Sequence, residues 1–322
     1  MVTLRDLALL MPAIRRLRDQ RDALALEVTQ LRARRDVAGR LGEDPAYRLY
    51  PPGHFYSPQP NLDEIRAEAD RVWPDVVDIA GIDLRADGQL TLLESLEPEL
   101  SWWPYYRRGR HPGAHRYTPD NDYFGHTDGQ LLAALLRRYK PRRYVEIGCG
   151  WSSALVLDLL DADPGLDPDV VFVEPYPDRL RSLLRPGDLD RVRLLEQRAQ
   201  DLDLSLLTDL EAGDVLVVDS THVAKIGSDV NRLIFEVFPR LAPGVVVHVH
   251  DILYPFEYSP DWVFEGRAWN EAYLLRALLT ENPRWRVLLW APQLWREHPD
   301  AVRRALGPEA KNDAASIWLV RQ

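Results

Sequence analysis

Cysteine is almost absent: Cys149 is the single one in 322 residues. That excludes an intrachain disulfide framework and any zinc site built from several thiolates, and it suits a reducing compartment. Long apolar runs are missing too. No stretch approaches the roughly 20 apolar residues of a membrane span. Met1 to Gln20 mixes Arg and Asp among its leucines and so lacks the apolar core of a secretory leader. The expectation is a cytoplasmic protein. Nor is there an excess of basic charge, since 40 Lys and Arg face 50 Asp and Glu, a formal net charge of −10. A general nucleic-acid binder needs a basic face, so nucleic acid is not expected as a partner. No internal repeat or low-complexity tract is present. A hydrophobic fraction of 46% and a charged fraction of 28% are those of a globular protein.

What is there divides into three regions. In residues 1–41, Leu7, Leu10, Ile14, Leu17, Leu24, Val28 and Leu31 recur at spacings of three and four, with Arg21 interrupting and Pro12 near the start. The pattern reads as a coiled-coil helix that makes a homo-oligomer, dimer or trimer left open, or as an amphipathic helix packed on its own domain. Residues 42–125 form a lid or linker segment rich in Pro and aromatics, with Pro51-Pro52, Trp102-Trp103-Pro104 and Tyr105-Tyr106. Asn61 as cap and Glu64 three residues on predict one helix to Val72; short strands are expected near Ile82 to Leu84 and Leu90 to Leu93. Residues 126–322 alternate strand-like and helix-like segments. Strands are expected at 144–147, 170–173, 192–195, 215–218, 245–249, 285–290 and 316–320. Helices are expected at 128–139, 153–160, 178–184, 229–238 and 270–279. The strands are largely apolar, as strands buried on both faces should be.

Val145-Glu146-Ile147-Gly148-Cys149-Gly150 carries the first functional signal. A strand ends beside an acid and turns through two glycines, which permit positive φ and close approach of a ligand. The third glycine of a dinucleotide fingerprint is lacking; Trp151-Ser152-Ser153 follows instead. A carboxylate at Glu146 repels a pyrophosphate but attracts an ammonium. The next strand ends at Glu174, placed to accept two ribose hydroxyls, and Gln200-Asp201 follows the third strand, where an adenine edge can be read.

Residues 128–322 resemble the class I S-adenosylmethionine-dependent methyltransferases, with Tyr144 to Ser153 similar to their first cofactor motif. A closer resemblance, to a bacterial subgroup of O-methyltransferase-like proteins, rests on Glu174-Pro175-Tyr176-Pro177, Asp219-Ser220-Thr221-His222, Gly227-Ser228-Asp229-Val230-Asn231 and His248-Val249-His250-Asp251. Pro255-Phe256-Glu257-Tyr258 and Trp269-Asn270-Glu271 belong to it as well. The resemblance implies an α/β, Rossmann-like seven-stranded sheet, last strand antiparallel, with helices on both faces. It also implies S-adenosyl-L-methionine as donor, held by Glu146, Gly148, Gly150 and Glu174. Ser152, Ser153, Gln200, Asp201 and Asp219 complete the expected donor set.

Asp219 to His222 and His248 to Asp251 follow the fourth and fifth strands, so both groups should face one cleft. Methyl transfer to oxygen needs the acceptor relieved of its proton, a task for an imidazole. His222 or His250 is the expected base, with Asp251 orienting and Lys225 a further catalytic candidate. The layout is similar to metal-dependent members of the class, which makes Asp219, His250 and Asp251 a candidate divalent-metal set; a histidine among them shifts preference from Mg²⁺ toward transition metals. His248 shares a strand face with His250 and has its plain reading as a packed residue. Asp229 reads as a helix cap. Tyr123, Phe124, Trp262, Arg267 and Trp269 are expected around the substrate, a hydroxyl of a glycan or small molecule. Two other readings stand beside this one: a nicotinamide oxidoreductase, and an inactive oligomeric scaffold of the same fold.

Overall fold

The computed structural model describes residues 49–100, 115–307 and 310–322. The predicted helix of residues 1–41, the start of the lid segment and its Trp102 to Arg110 stretch lie outside these. The chain divides into two compact units, residues 1–69 and 70–322. In the first, Asn61 caps the helix Leu62–Ala67, its side chain accepting from the N–H groups of Asp63 and Glu64. The predicted single helix to Val72 is interrupted at Glu68 (φ −110°) and resumes as Ala69–Val72.

The second unit holds a seven-stranded sheet in the order β3-β2-β1-β4-β5-β7-β6. Its strands are β1 (Arg143–Ile147), β2 (Asp169–Val173), β3 (Arg193–Leu195), β4 (Val215–Val218), β5 (Val246–Val249), β6 (Trp285–Trp290) and β7 (Ile317–Arg321). β1 to β5 run parallel, and β7 is antiparallel to both β5 and β6. Side chains alternate across a pleat, so Val215 and Val217 enter the core on one face while Leu216 and Val218 enter that on the other. Burial on both faces explains why these strands read as unbroken apolar runs.

Three differences from expectation have local causes. Residues 82–93 hold no strand; Ala86–Ser95 is a helix. Leu90, Leu93, Leu96 and Leu100 pack toward the sheet at helical spacing, and Gln89 bonds the Trp290 N–H and Gln293. The helix expected at 229–238 begins as Asp229–Arg232, widens into a π-type turn at Leu233–Val237 and tightens at Phe238–Arg240, where Pro239 offers no N–H to continue the ladder. Helices at Ala291–Glu297 and Pro299–Leu306 were not foreseen. No helix among the described residues is long and apolar enough to cross a membrane.

Candidate active site

The strand order reverses between β1 and β4, and open α/β sheets bind ligands at the carboxyl ends of the strands there. A cavity of about 610 Å³ opens at that point. Gly148, Glu174, Asp219, His250 and Asp251, which follow β1, β2, β4 and β5, all line it. Gly148 has φ +82°, and a Cβ there would fall 1.6 Å from the Asp219 carbonyl oxygen. The glycine is what lets the two strand ends close up.

Glu174 is half-buried, its carboxylate accepting from the N–H groups of Cys149 (3.2 Å) and Tyr176 (2.8 Å). It faces the cavity beside Cys149 and Arg179. Arg179 stacks on the Tyr123 ring, 3.5 Å from its centroid. The loop carrying Tyr123 is held by Asn121, whose side chain bonds the backbone of Thr118, Tyr123 and Phe124. Behind it, Asp313 accepts from the N–H groups of His126 and Thr127 and so caps the helix His126–Tyr139 from a distant part of the chain.

Across the cavity, His222 sits among three carboxylates. Its Nδ1 lies 2.9 Å from Glu271 Oε2, and its Nε2 lies 3.3 Å from Asp219 Oδ1 and 3.4 Å from Asp251 Oδ2. His222 is 5% exposed and Glu271 1%, so this charge is screened little. Burial works against a charged imidazole, but the hydrogen bonds its ring nitrogens donate to Asp219 and Glu271 outweigh it and hold the His222 pKa well above the ordinary value. Burial also pushes Asp251 and Glu271 up. Asp219 is lowered, because the nearby His250 and His222 overcome the cost of its own burial. Both His222 (φ +59°) and Asp251 (φ +55°) occupy the left-handed region, which side chains rarely adopt outside sites that need them there.

Asp219, His222 and Asp251 each offer one ligand atom, all within 4.8 Å of one another. This group shares Asp219 and Asp251 with the cation set read from sequence and takes His222 where that set has His250. His250 Nε2 lies 3.3 Å from the Tyr123 carbonyl and its ring packs on Phe124 at 4.9 Å. Strand alternation sends it toward the back wall with His248, which is fully buried and stacks at 5.5 Å. Burial drives His248 well below the ordinary pKa, so it is neutral.

Tyr123, Trp262, Arg267 and Trp269 line the cavity as expected of substrate residues; Phe124 is buried behind it. Arg267 lies over Trp262 (4.8 Å) and Trp269 (5.0 Å), and Trp269 in turn packs 4.5 Å from His222. Lys225 is exposed and absent from the lining. Also absent from the lining are the half-buried Gln200, which bonds the Gly227 carbonyl, and the exposed Asp201, which pairs with Arg198. Asp229 holds the Thr221 backbone and hydroxyl in place. The residues not foreseen are Arg179, Asp128, Asp313 and Glu271. Of these only Glu271 stood in a quoted motif, and no local pattern marks a cap supplied from 187 residues away.

Glu146 does not reach the cavity. It is fully buried and accepts from the hydroxyls of Tyr144, Ser152 and Ser153, and Ser153 Oγ accepts from the Gly150 N–H. The carboxyl, Ser152 and Ser153 thus shape the glycine turn from beneath. Burial raises the Glu146 pKa from 4.5 to about 7. A carboxyl whose folded pKa is raised contributes most below its unfolded value and loses that contribution as pH rises through the folded one. Wild-type stability should therefore decline between pH 5 and 8, by about 3 kcal/mol in all. Glu146→Gln should flatten the decline and be the more stable protein at pH 8. Urea unfolding across that range checks this, and parallel curves for the two proteins would refute it.

Residues 145–252, from β1 to just past β5, match a family described as Methyltransferase domain. An uncharacterized protein of Archaeoglobus fulgidus is 33% identical over 168 residues, 51% of this chain and 75% of that one. The chain thus carries a methyltransferase domain over these residues. This methyltransferase is also similar to solved structures. The SAH-bound Podospora anserina methyltransferase PaMTH1 is 15% identical, with 81% of this chain and 94% of that one covered and a TM-score of 0.40. The O-methyltransferase TomG of Streptomyces achromogenes, in complex with SAM, is 16% identical, with 74% and 92% covered and a TM-score of 0.39. The methyltransferase's antiparallel β7, set between β5 and β6, is the seven-stranded arrangement that the resemblance implied.

Proposed function

We propose that this methyltransferase moves the methyl group of S-adenosyl-L-methionine to a hydroxyl oxygen, on a sugar, a polysaccharide or a small polar metabolite. The observation that carries the reading is one cavity with two unlike walls. Gly148, Cys149 and the Glu174 carboxylate form one group of its lining and Asp219, His222 and Asp251 the other, the two meeting where Gly148 lies against the Asp219 carbonyl.

The first wall fits the donor. Gly148 leaves no side chain between the backbone and the cavity, and Glu174 presents a carboxylate to a ribose diol. Tyr176, 81% exposed and bonded through its N–H to Glu174, stands outside the lining as Gln200 and Asp201 do, and offers a flat face to an adenine beside them. The donor supplies an electrophilic methyl on a sulfonium. Glu174→Ala should weaken binding of S-adenosylhomocysteine by about 10- to 100-fold, the worth of hydrogen bonds to a charged group. Titration calorimetry measures it; an unchanged affinity would remove Glu174 from the donor site.

The second wall fits acceptor activation. Trp262, Trp269 and Arg267 give a polar ring both apolar faces and a cation to rest on. The acceptor hydroxyl is then held over Asp219, His222 and Asp251. His222, in its neutral form, is the base we favour, because its Nε2 is turned to the cavity-lining Asp219 and Asp251 while His250 Nε2 is turned to the Tyr123 carbonyl. The same three residues fit a divalent cation, one imidazole and two carboxylates, and such an ion lowers the pKa of a bound hydroxyl. A proton and a cation compete for His222 Nε2, so turnover near neutral pH is expected to rise with added divalent ion. Transfer to a panel of hydroxylated acceptors, with and without a chelator, tests the reading. Donor binding with no acceptor turned over would favour the scaffold reading instead.

A further inference from the structure

From the clamp around His222, we infer that Glu271 is a positioning residue that makes the Asp219–His222–Asp251 group a site for an imidazole-accepting transition-metal ion. The inference deepens the cation half of the proposed function and rests on it. An imidazole ligates a metal through one nitrogen, and the hydrogen bond at the other decides which. Here Nδ1 meets Glu271 Oε2 at 2.9 Å, and Nε2 is turned toward Asp219 and Asp251. A buried carboxylate behind a histidine fixes the tautomer and raises the basicity of the ligating nitrogen.

Glu271 is not the only restraint. The N–H groups of Glu271 and Asn270 both donate to the His222 carbonyl, at 3.2 and 3.0 Å. Asn270 Oδ1 accepts from the Ala224 N–H at 2.6 Å. The turn after β4 is therefore stapled to the start of the helix Glu271–Leu279, main chain and ring together, and His222 keeps its left-handed φ. A clamp on a ring that merely filled space has no need to select one nitrogen. One nitrogen and two carboxylates suit Mn²⁺, Fe²⁺, Co²⁺ or Zn²⁺ better than Mg²⁺, which prefers oxygen.

The test uses the full chain and Mn²⁺ alone. Pulsed electron paramagnetic resonance of the Mn²⁺-loaded protein should show coupling to an imidazole nitrogen, lost in His222→Ala. Glu271→Gln, which keeps the side-chain shape, should lower Mn²⁺ affinity by about 10- to 100-fold. It should also reduce the preference for Mn²⁺ over Mg²⁺, while S-adenosylhomocysteine binds as before. A residue serving the fold alone would not move that ratio. No nitrogen coupling in the unmodified protein overturns the inference, whatever the variants do, and so does an unchanged Mn²⁺ affinity in folded Glu271→Gln. Failure of the unmodified chain to bind S-adenosylhomocysteine would instead count against the methyltransferase reading.

Discussion

A His222→Ala variant should bind S-adenosylhomocysteine as the wild type does and turn over about 10²- to 10⁴-fold more slowly, the usual worth of a positioned acid or base. Glu174 follows β2 and bonds the N–H groups of Cys149 and Tyr176, not His222. Asp219 and Asp251 remain, but nothing is left between them to take or share the acceptor's proton. Stability complicates the experiment, because Glu271 then keeps a buried carboxylate with no imidazole opposite. Breaking a buried pair in this way costs about 3–5 kcal/mol. The double variant His222→Ala/Glu271→Gln removes the stranded charge and should regain much of that stability without regaining turnover. Calorimetric binding, thermal unfolding and single-turnover transfer separate these effects. Undiminished transfer in the single variant would move the base to His250.

Replacing Arg116 should be the most damaging change away from the cavity. Its guanidinium is 3% exposed and bonds Asp158 at 2.9 Å, Asp161 at 2.6 Å and Asp188 at 2.5–2.8 Å, with Asp158 and Asp188 buried as deeply. Burial disfavours its charge, yet the three carboxylates outweigh that and raise its pKa further. The planar fork of arginine serves several carboxylates at once, which lysine cannot do. Arg116→Met takes the cation from two buried carboxylates and leaves them only their other hydrogen bonds, an expected loss of about 3–5 kcal/mol, or roughly 6–20 °C in melting temperature for a domain of this size. Arg116→Lys should recover only part of it. Asp161, although its side chain is 38% exposed, is held below the usual carboxylate range by Arg116 and Arg191. Its contribution is present above the unfolded pKa and fades as pH falls through the lower folded one. The gap between wild type and Arg116→Met should accordingly narrow below about pH 4. A melting temperature within a degree or two of wild type would show that the cluster is not what holds this region.

The strands and the cavity's location were legible because burial on both faces imposes a plain rule on β1, β2, β4 and β5, and because ligands gather where such strands end. Which side chains turn into the cavity was less legible. Glu146 and Glu174 are both acids near strand ends, yet Glu146 pairs in register with Phe172, two residues short of Glu174, so it stays buried before the glycine turn while Glu174 reaches the cavity. His222 and His250 looked equivalent as bases; a left-handed turn aims the first at Asp219 and Asp251, and strand alternation sends the second to the back wall. Gln200-Asp201 satisfied the spacing of an adenine reader but found nearer partners in Gly227 and Arg198. Leu90 to Leu93 fitted a strand as well as a helix, and only packing against β6 decides between them.

The cap that Asp313 places on the helix His126–Tyr139 bears on how the protein comes into being. Two backbone N–H groups just behind the Tyr123 loop wait for a carboxylate 187 positions later in synthesis. Contacts of such sequence separation form late, since chain closure precedes any gain from them. On the ribosome β1, β2 and β4 can assemble while the donor-side wall still lacks its anchor. Asp313→Ala, which keeps β7 and the whole sheet, should therefore loosen the wall behind the Tyr123 loop and weaken donor capture.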